Sequence, residues 1–579
     1  MNPLKEQLAQ YLVDAIRQLG IDKNADQMVG EFRTPPNREL GHLSFPCFVL
    51  SKELKKATAQ IAVDLLEILP DHPLVRELRI VNAYLNFFLQ PREMGRLAME
   101  SILKGDFFAL KPRKELPKTM IEYSQPNTHK ELHVGHMRNL CLGNTLVKLH
   151  RYCGYEIISS TFPGDVGTHV AKCLWYLKYH NEQPMPSAKK GEWLGRMYSK
   201  GHLKLEESDD PQEQQHNKKQ LSQILTQLEK GEGDFFDLWE TTRQWSIDQM
   251  EEVYQWAEVT FDKWYWESEV DVPSLEWIKS LYGKGHFVKS KGVIGMDLSE
   301  HDLGFCVLIK SDGHGLYATK DIELARRKFE DYQIEKNIYV VDERQSHHFA
   351  QVFKTLELMG YENAKYCYHL AYNYVELPDG PMSSRKGNII PIMALINQME
   401  EKVFHDLNEK YGREWSEEDK QKIATIIAKG AIKYGMLKID ANKKIVFDMK
   451  GWLDLNGDSG PYLQYVYTRI HSLCQKQEYD PSIKTDWQAL TNEMELRLLL
   501  QLSDFNTVVR NACQGYKPNL LCNYLFDLAK SYNSFYNSCP VAKAPSQAIK
   551  QARLSLSSAV GLTMEKGLDL LGIPVPEKM

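Results

Sequence analysis

The ten cysteines are scattered along the 579 residues, and no two form a Cys-x-x-Cys pair. That spacing argues against a zinc ribbon and against a disulfide framework, and it fits a reduced, cytoplasmic setting. No dedicated metal ligands are visible in the sequence. Long apolar runs are missing too: no stretch reaches the ~18 apolar residues of a membrane span. The first residues run straight into an amphipathic pattern without the apolar core of a signal peptide, so no membrane partner is expected. A basic excess is also absent, since 71 Lys and Arg face 77 Asp and Glu for a net charge of -6. A dedicated polyanion binder is usually basic, which counts against nucleic acid, DNA included, although binding follows local patches rather than the total. Local patches at 52–56, 111–118 and 429–444 remain, each readable as a nucleic-acid contact or as a solvated face. There is no internal repeat and no low-complexity tail.

What the chain does contain is enough material for three or four cores. Its 43% hydrophobic and 26% charged content is ordinary for a globular protein. Residues 1–110 read as a small α/β unit, with helical spacing over 4–16 and 58–68 and a strand over 80–89. The stretch 111–118, with two prolines and no periodicity, reads as a linker. From 111 to 395 strands and helices alternate, which predicts a multidomain α/β chain with a doubly wound, parallel, Rossmann-type sheet at its centre. Strands are expected over 119–123, 156–162 and 337–342. A polar insertion over 180–300 interrupts them, helical from 206 to 232, and reads as an accessory unit. Residues 396–450 form a helical connector. The remainder, 451–579, is all-α, with helices expected over 460–473, 493–513, 520–538 and 546–571.

The densest chemistry lies in two short stretches. Ser124 to His136 reads Ser-Gln-Pro-Asn-Thr-His-Lys-Glu-Leu-His-Val-Gly-His, placed between a strand and a helix. A helix N-terminus there offers unpaired N–H groups to phosphate. Gly135 lets a planar ring approach the backbone, and His133 and His136 can reach the same phosphates. Nearly 250 residues later, Met382-Ser-Ser-Arg-Lys-Gly387 is a small, cationic loop suited to a triphosphate.

Together these stretches resemble the His-Ile-Gly-His and Lys-Met-Ser-Lys-Ser signatures of class I aminoacyl-tRNA synthetases. Further stretches narrow the resemblance to the bacterial-type arginyl-tRNA synthetases over essentially the whole length. They are Glu122-Tyr-Ser-Gln-Pro-Asn127, Gly164-Asp-Val-Gly167, Ser311 to Asp321, Gly460 to Tyr465, Ser534 to Tyr536 and the C-terminal Gly567 to Met579. The resemblance implies an arginine–tRNA ligase. Such an enzyme forms arginyl-adenylate from L-arginine and ATP, with Mg²⁺ arriving on the ATP, and passes the arginyl group to the 3' end of tRNA(Arg). It also implies a monomer.

Residue by residue, the resemblance assigns ATP to His133, Gly135, His136, Gly164, Asp165, Gly167, His348, Gln351 and Met382. The catalytic group is His133, His136, Lys130, Ser383, Ser384, Arg385 and Lys386. One departure matters: Ser384 stands where a class I loop carries its catalytic lysine. Arg385 and Lys386 offer cations in the loop, and Lys130, spaced one helical turn before His133, offers another. Arginine falls to Glu122, Asn127, Tyr317, Asp321 and Gln345. A guanidinium wants a carboxylate in fork geometry, and Asp321 with Tyr317, four apart, share one helix face. Glu122 and Gln345 divide the remaining amino and guanidinium contacts. For tRNA, the 1–110 domain binds the D-loop corner through Tyr84 and Asn86, and the C-terminal domain offers Tyr462, Tyr465, Arg469 and Tyr536 to the anticodon. Two other readings stay open. A cysteinyl or glutamyl synthetase would need zinc ligands or a cationic pocket, and a non-catalytic RNA-binding relative would commonly lack one signature.

Overall fold

The computed structural model describes residues 2–109, 115–207, 209–378, 380–381 and 389–579. The chain opens with α1 (Pro3–Gln18), capped by Asn2, whose side chain accepts from the backbone N–H of Leu4 and Lys5. Three antiparallel strands follow: β1 (Leu43–Pro46), β2 (Val75–Val81) and β3 (Tyr84–Leu89), with β3 in the middle. Helix α2 (Thr58–Ile68) packs on this sheet. The single strand expected over 80–89 is instead a hairpin. Asn82 and Ala83 adopt φ of 49° and 62° and turn the chain in two residues. Residues 91–104 then run helically away from this sheet, so that Gly95 lies against the Trp487 ring among the C-terminal helices.

The central sheet is built from β4 (Thr119–Glu122), β5 (Ile157–Thr161) and β6 (Lys263–Trp264), with β10 and β11 added later in the chain. After β4 comes α3 (Val134–Tyr152), and after β5 comes α4 (Thr168–Tyr179). Three long helices, α5 (Lys190–Glu207), α6 (Pro211–Lys230) and α7 (Asp234–Ala257), form the insertion and share small apolar cores with α4. The insertion is not continuous over 180–300, because β6 at its middle returns to the sheet and pairs parallel with β5. Helix α8 (Glu267–Gly283) follows. A separate antiparallel sheet then forms from β7 (Val288–Ser290), β8 (Val293–Asp297) and β9 (Phe305–Ile309).

Helix α9 (Tyr317–Tyr332) leads into β10 (Lys336–Asp342), α10 (Ser346–Leu358) and β11 (Cys367–Tyr372). All five strands are parallel, in the order β11-β10-β4-β5-β6. The first strand therefore has its successors on one side and the later pair on the other. That reversal between β4 and β10 opens a crevice beyond their carboxyl ends, where ligands of such sheets sit. Strand β4 is buried throughout, as parallel sheets covered on both faces require. Close packing sets α3 on it: a Cβ on Gly143 would stand 2.1 Å from Tyr123 Cγ.

Strands β12 (Val375–Leu377) and β13 (Gly380–Pro381) precede α11 (Ile392–Tyr411) and α12 (Glu417–Leu437), and β14 (Ile445–Val446) pairs with β12. The chain ends in α13 (Gly460–Lys476), α14 (Glu493–Gln514), α15 (Asn519–Ser538) and α16 (Gln547–Leu570), an all-α bundle as the periodicity predicts. Among the described residues no helix is long and apolar enough to cross a membrane.

Candidate active site

His133 is the N-cap of α3, and its extended backbone turns the chain out of the β4 loop. Its Nδ1 accepts from the Gly135 N–H at 3.2 Å, while its own N–H donates to His136 Nδ1 at 3.0 Å. The rings lie 3.9 Å apart at 34°. With both Nδ1 atoms accepting, each neutral ring carries its proton on Nε2. Burial, with the charges of Arg344 and Lys130, pushes His133 down to about 4. Burial, with His133 and Lys130, holds His136 well below its ordinary value. Both rings are therefore neutral donors at pH 7. A Cβ on Gly135 would stand 3.0 Å from the His133 ring, so any larger residue would press on that ring.

Met382, Ser383, Ser384, Arg385, Lys386 and Gly387 lie outside the described residues. The chain just beyond them is tied to the histidine turn: His133 bridges Pro391 in antiparallel register, Val134 N–H donates to Ile390 O at 3.0 Å and Ile392 N–H donates to Leu132 O at 2.9 Å. Residues 390–392, which follow the second signature in sequence, thus pair with the histidine turn. Lys130 sits in the turn before α3, not on the helix as its spacing suggests. It lies 5.2 Å from the Tyr198 ring centroid, and its charge helps depress His133, His136 and the buried His169.

Of the amino-acid candidates, Tyr317 and Asp321 stand on α9 and Gln345 in the turn after β10. Tyr317 opens α9 and is 67% exposed. One turn on, Asp321 accepts from His348 Nε2 at 2.5 Å. Burial opposes the His348 imidazolium, but the hydrogen bond and charge of Asp321 outweigh it and raise its pKa. Gln345 is exposed at the start of α10. Asn127 bridges Gly164 in parallel register, and a Cβ on Gly164 would fall 2.4 Å from Asn127 Oδ1, so any larger residue there would displace the Asn127 amide. Glu122 is engaged differently from the expectation of an open carboxylate. It is 3% exposed, ion-paired to the buried Lys328, and accepts from Gln125 Nε2 at 3.1 Å.

Three further assignments change. Asp165, expected at ATP, is fully buried, with Oδ2 accepting from Arg243 Nε and Ser268 Oγ, both at 2.7 Å, and Oδ1 accepting from the Ser268 N–H at 2.8 Å. It clamps the turn after β5 to α7 and α8; Gly167 then sets the start of α4 with a φ of 107°. Gln351 donates its amide to Leu303 O at 2.7 Å. Asn86 is 3% exposed, with its amide on the Tyr84 carbonyl, so it presents no base-reading edge in this structure. Lys328, His169 and the Glu267–Lys320 pair at 2.7 Å were not legible in sequence, since nothing local distinguishes them from surface charges.

The residues expected at tRNA fall in the N-terminal sheet and the C-terminal bundle. Tyr84 is 36% exposed beside Phe48, which is 55% exposed. In the C-terminal bundle the Arg469 guanidinium lies between the Tyr465 and Tyr536 rings, 5.3 and 4.9 Å from their centroids. Arg469 also donates to Asn533 at 3.1 Å, and Asn533 donates to Tyr462 Oη at 2.9 Å. The four expected residues are brought together, but Tyr462 is a core residue, 9% exposed, supporting the other three from beneath.

Comparison with known proteins covers the whole chain. Residues 99–449 match the family "tRNA synthetases class I (R), catalytic domain". Residues 463–579 match the "DALR anticodon binding domain" and 4–89 the "Arginyl tRNA synthetase N terminal domain". A curated arginine–tRNA ligase of Bdellovibrio bacteriovorus is 53% identical over 570 residues, covering 98% of each chain. One from Porphyromonas gingivalis is 33% identical, with 96% of each chain covered. Among solved structures, the Thermus thermophilus arginyl-tRNA synthetase matches with a TM-score of 0.80 and 28% identity, over 100% of both chains.

Proposed function

The chain belongs to the class I arginyl-tRNA synthetases, and from that premise we propose how its residues divide the reaction. The activity is arginine–tRNA ligation. A carboxylate oxygen of L-arginine bonds to the α-phosphorus of ATP as the bond to the β-phosphate bridge oxygen breaks, leaving arginyl-adenylate and pyrophosphate. The terminal ribose hydroxyl of tRNA(Arg) then attacks the arginyl carbonyl, loses its proton and releases AMP.

In the first step the Nε2–H groups of His133 and His136 donate to the phosphates. Being neutral, they supply hydrogen bonds without charge, so the cation comes from elsewhere. Lys130 supplies it from the crevice wall, and Arg385 and Lys386 meet the departing pyrophosphate from the loop. Fixed donors aimed at developing charge lower the barrier because they need no reorganisation. Gly164 and Gly167 keep the floor of the site low enough for the nucleotide, and Mg²⁺ enters as part of the ATP substrate.

The guanidinium takes Asp321, with Tyr317 over it and Asn127 and Gln345 around the rest of the amino acid, while Glu122 stays paired with Lys328. The observations that support this reading are the bridge of His133 to Pro391, beside the helix start, and the hydrogen bond between His348 and Asp321. Tyr84 stacks on a base at the D-loop corner, and Tyr465, Arg469 and Tyr536 form the platform for a splayed anticodon base. A cytoplasmic monomer is the form proposed; none of the ten cysteines is in a disulfide. ATP–pyrophosphate exchange with and without tRNA(Arg) is the test. Arginine-dependent exchange is expected, with a large rise in the arginine requirement for Asp321→Ala and little change in ATP binding. Equal arginine affinity in variant and parent would remove Asp321 from the pocket.

A further inference from the structure

The loop that joins β4 to α3 is held in an unfavourable backbone shape. Ser124 and His129 have φ of 55° and 60°, the left-handed region that non-glycine residues occupy only when their surroundings over-determine it. Between and beside them stand Asn127 and Lys130. Strain of this kind persists because something outside the loop holds it.

Helix α7 supplies much of that hold, along one face. At the start of the loop, Tyr254 Oη lies 2.9 Å from Ser124 Oγ. Further along, the His129 N–H donates to Ser246 Oγ at 2.9 Å, and His129 Nε2 lies 2.8 Å from Thr242 Oγ1. The Thr242 hydroxyl donates to the Leu238 carbonyl at 2.8 Å, so toward His129 it accepts, and the imidazole proton is on Nε2. Nδ1 then accepts from the Thr128 hydroxyl at 2.9 Å. His129, Thr242 and Ser246 are all buried, and burial, with the Arg243 charge, keeps the His129 pKa near 3, so the ring stays neutral. On the same face Trp239 Nε1 donates to Asp165 O and Arg243 Nε to Asp165 Oδ2, both at 2.7 Å. One helix of the insertion thus grips the turns after both β4 and β5.

We propose that α7 is a positioning element for adenylate formation, and that His129, gripped by Thr242 and Ser246, is the residue through which it sets Asn127 and Lys130. None of these α7 side chains touches substrate in this scheme; they act through the loop. The proposal rests on the assignment of Asn127 to arginine and Lys130 to phosphate made above. Misplacing a reacting group by about 1 Å costs up to ~100-fold in rate, so the expected effect is on kcat of the folded enzyme, beyond the stability lost with a buried contact, and not on tRNA binding.

The test is tRNA-dependent pyrophosphate exchange on the full-length enzyme, with tRNA affinity and thermal midpoint measured alongside. Thr242→Val keeps the shape and removes the acceptor; its kcat is expected to fall 10- to 100-fold with tRNA affinity unchanged. Thr242→Ser, which restores the hydroxyl, should recover to within about threefold. In the Thr242→Val/His129→Asn pair, the double variant should be no slower than the slower single variant, since both break one contact. Thr241→Val, exposed on the same helix, is the unaffected control. Should Thr242→Val not fold, Ser246→Ala carries the same expectation. Parental kcat in Thr242→Val, or a fall that Thr242→Ser does not recover, overturns the proposal. A parent enzyme without arginine-dependent exchange would instead defeat the underlying assignment.

Discussion

Arginine binding should release a proton, and the Asp321–His348 contact sets how much and where. The imidazole Nε2 holds Asp321 Oδ2 at 2.5 Å. A guanidinium gripping that carboxylate with two parallel hydrogen bonds needs both oxygens, so it displaces the imidazole. His348 has a raised pKa because Asp321 outweighs the opposing effect of burial. Below that pKa it is charged and competes with the substrate; above it, it is neutral and yields. The contact therefore stabilises the empty pocket at low pH and is lost as pH rises through the raised value. Over the acid limb each pH unit changes the competition by about 1.36 kcal/mol, roughly tenfold in apparent Kd. Arginine itself keeps its side-chain charge throughout this range. Titration calorimetry from pH 5.5 to 8.5, in two buffers of different ionisation enthalpy, reads both quantities. The expectation is an arginine Kd that tightens about tenfold per unit at the acid end and then flattens, with close to one proton released below the bend. His348→Gln should abolish both effects. That variant also separates His348 from Glu267, which burial, offset in part by Lys320, pushes up to about 6 in the same region. A Kd independent of pH, or the same slope in His348→Gln, would refute the displacement.

Lys130→Ala should lower kcat for exchange roughly 100- to 1000-fold, by analogy with a lost transition-state donor worth about 2.7–4 kcal/mol, with arginine KM little changed. If instead Lys386→Ala collapses while Lys130→Ala stays near the parent, the compensating cation is in the loop. Gly143→Ala should cost about 1–3 kcal/mol, because its Cβ would stand 2.1 Å from the Tyr123 ring carbon and push α3 off β4; an unchanged thermal midpoint would contradict this. Acid should destabilise the fold through buried neutral histidines. Burial pushes His129 to about 3 and His150 to about 4 and holds His169 well below the ordinary value, so the unfolded chain takes up protons that the folded one refuses. Stability is then full above pH 6.5 and falls by about 1 kcal/mol per histidine from pH 6.5 to 5.5, which denaturant titrations at the two pH values measure. Arg469→Ala should raise the tRNA KM without altering exchange at saturating tRNA; an unchanged KM would place Arg469 outside the anticodon platform.

Much of the fold was legible because it is written locally. The helix expected over 58–68 is Thr58–Ile68, and those expected over 460–473 and 520–538 differ from the structure by three residues or fewer at their ends. Apolar residues at helical spacing have one packed solution, and fully buried strands between helices have few. The turn residues of the crevice were also legible, since His-x-Gly-His at a strand-to-helix boundary is a local arrangement of donors. Other features could not be read along the chain. The hairpin in 75–89 needs positive φ at Asn82 and Ala83, which Asn favours but Ala does not. Strand β6, two residues long, is defined only by its partner β5.

The site divides in the same way. By itself the sequence determined which chemical groups are present and in what order: two histidines at a helix start, a cationic loop, a carboxylate one turn after a tyrosine, aromatic residues with an arginine near the C-terminus. Tertiary structure alone decided which of them are available. Glu122 pairs with Lys328, 206 residues away; Asp165 is enclosed by Arg243 and Ser268; Asn86 and Tyr462 are buried; His129 is held by Thr242 and Ser246, more than 100 residues on. The physical reason is that a side chain's type follows from its own codon, whereas its solvation and its charge partner depend on which distant segment packs over it, and no local periodicity encodes that.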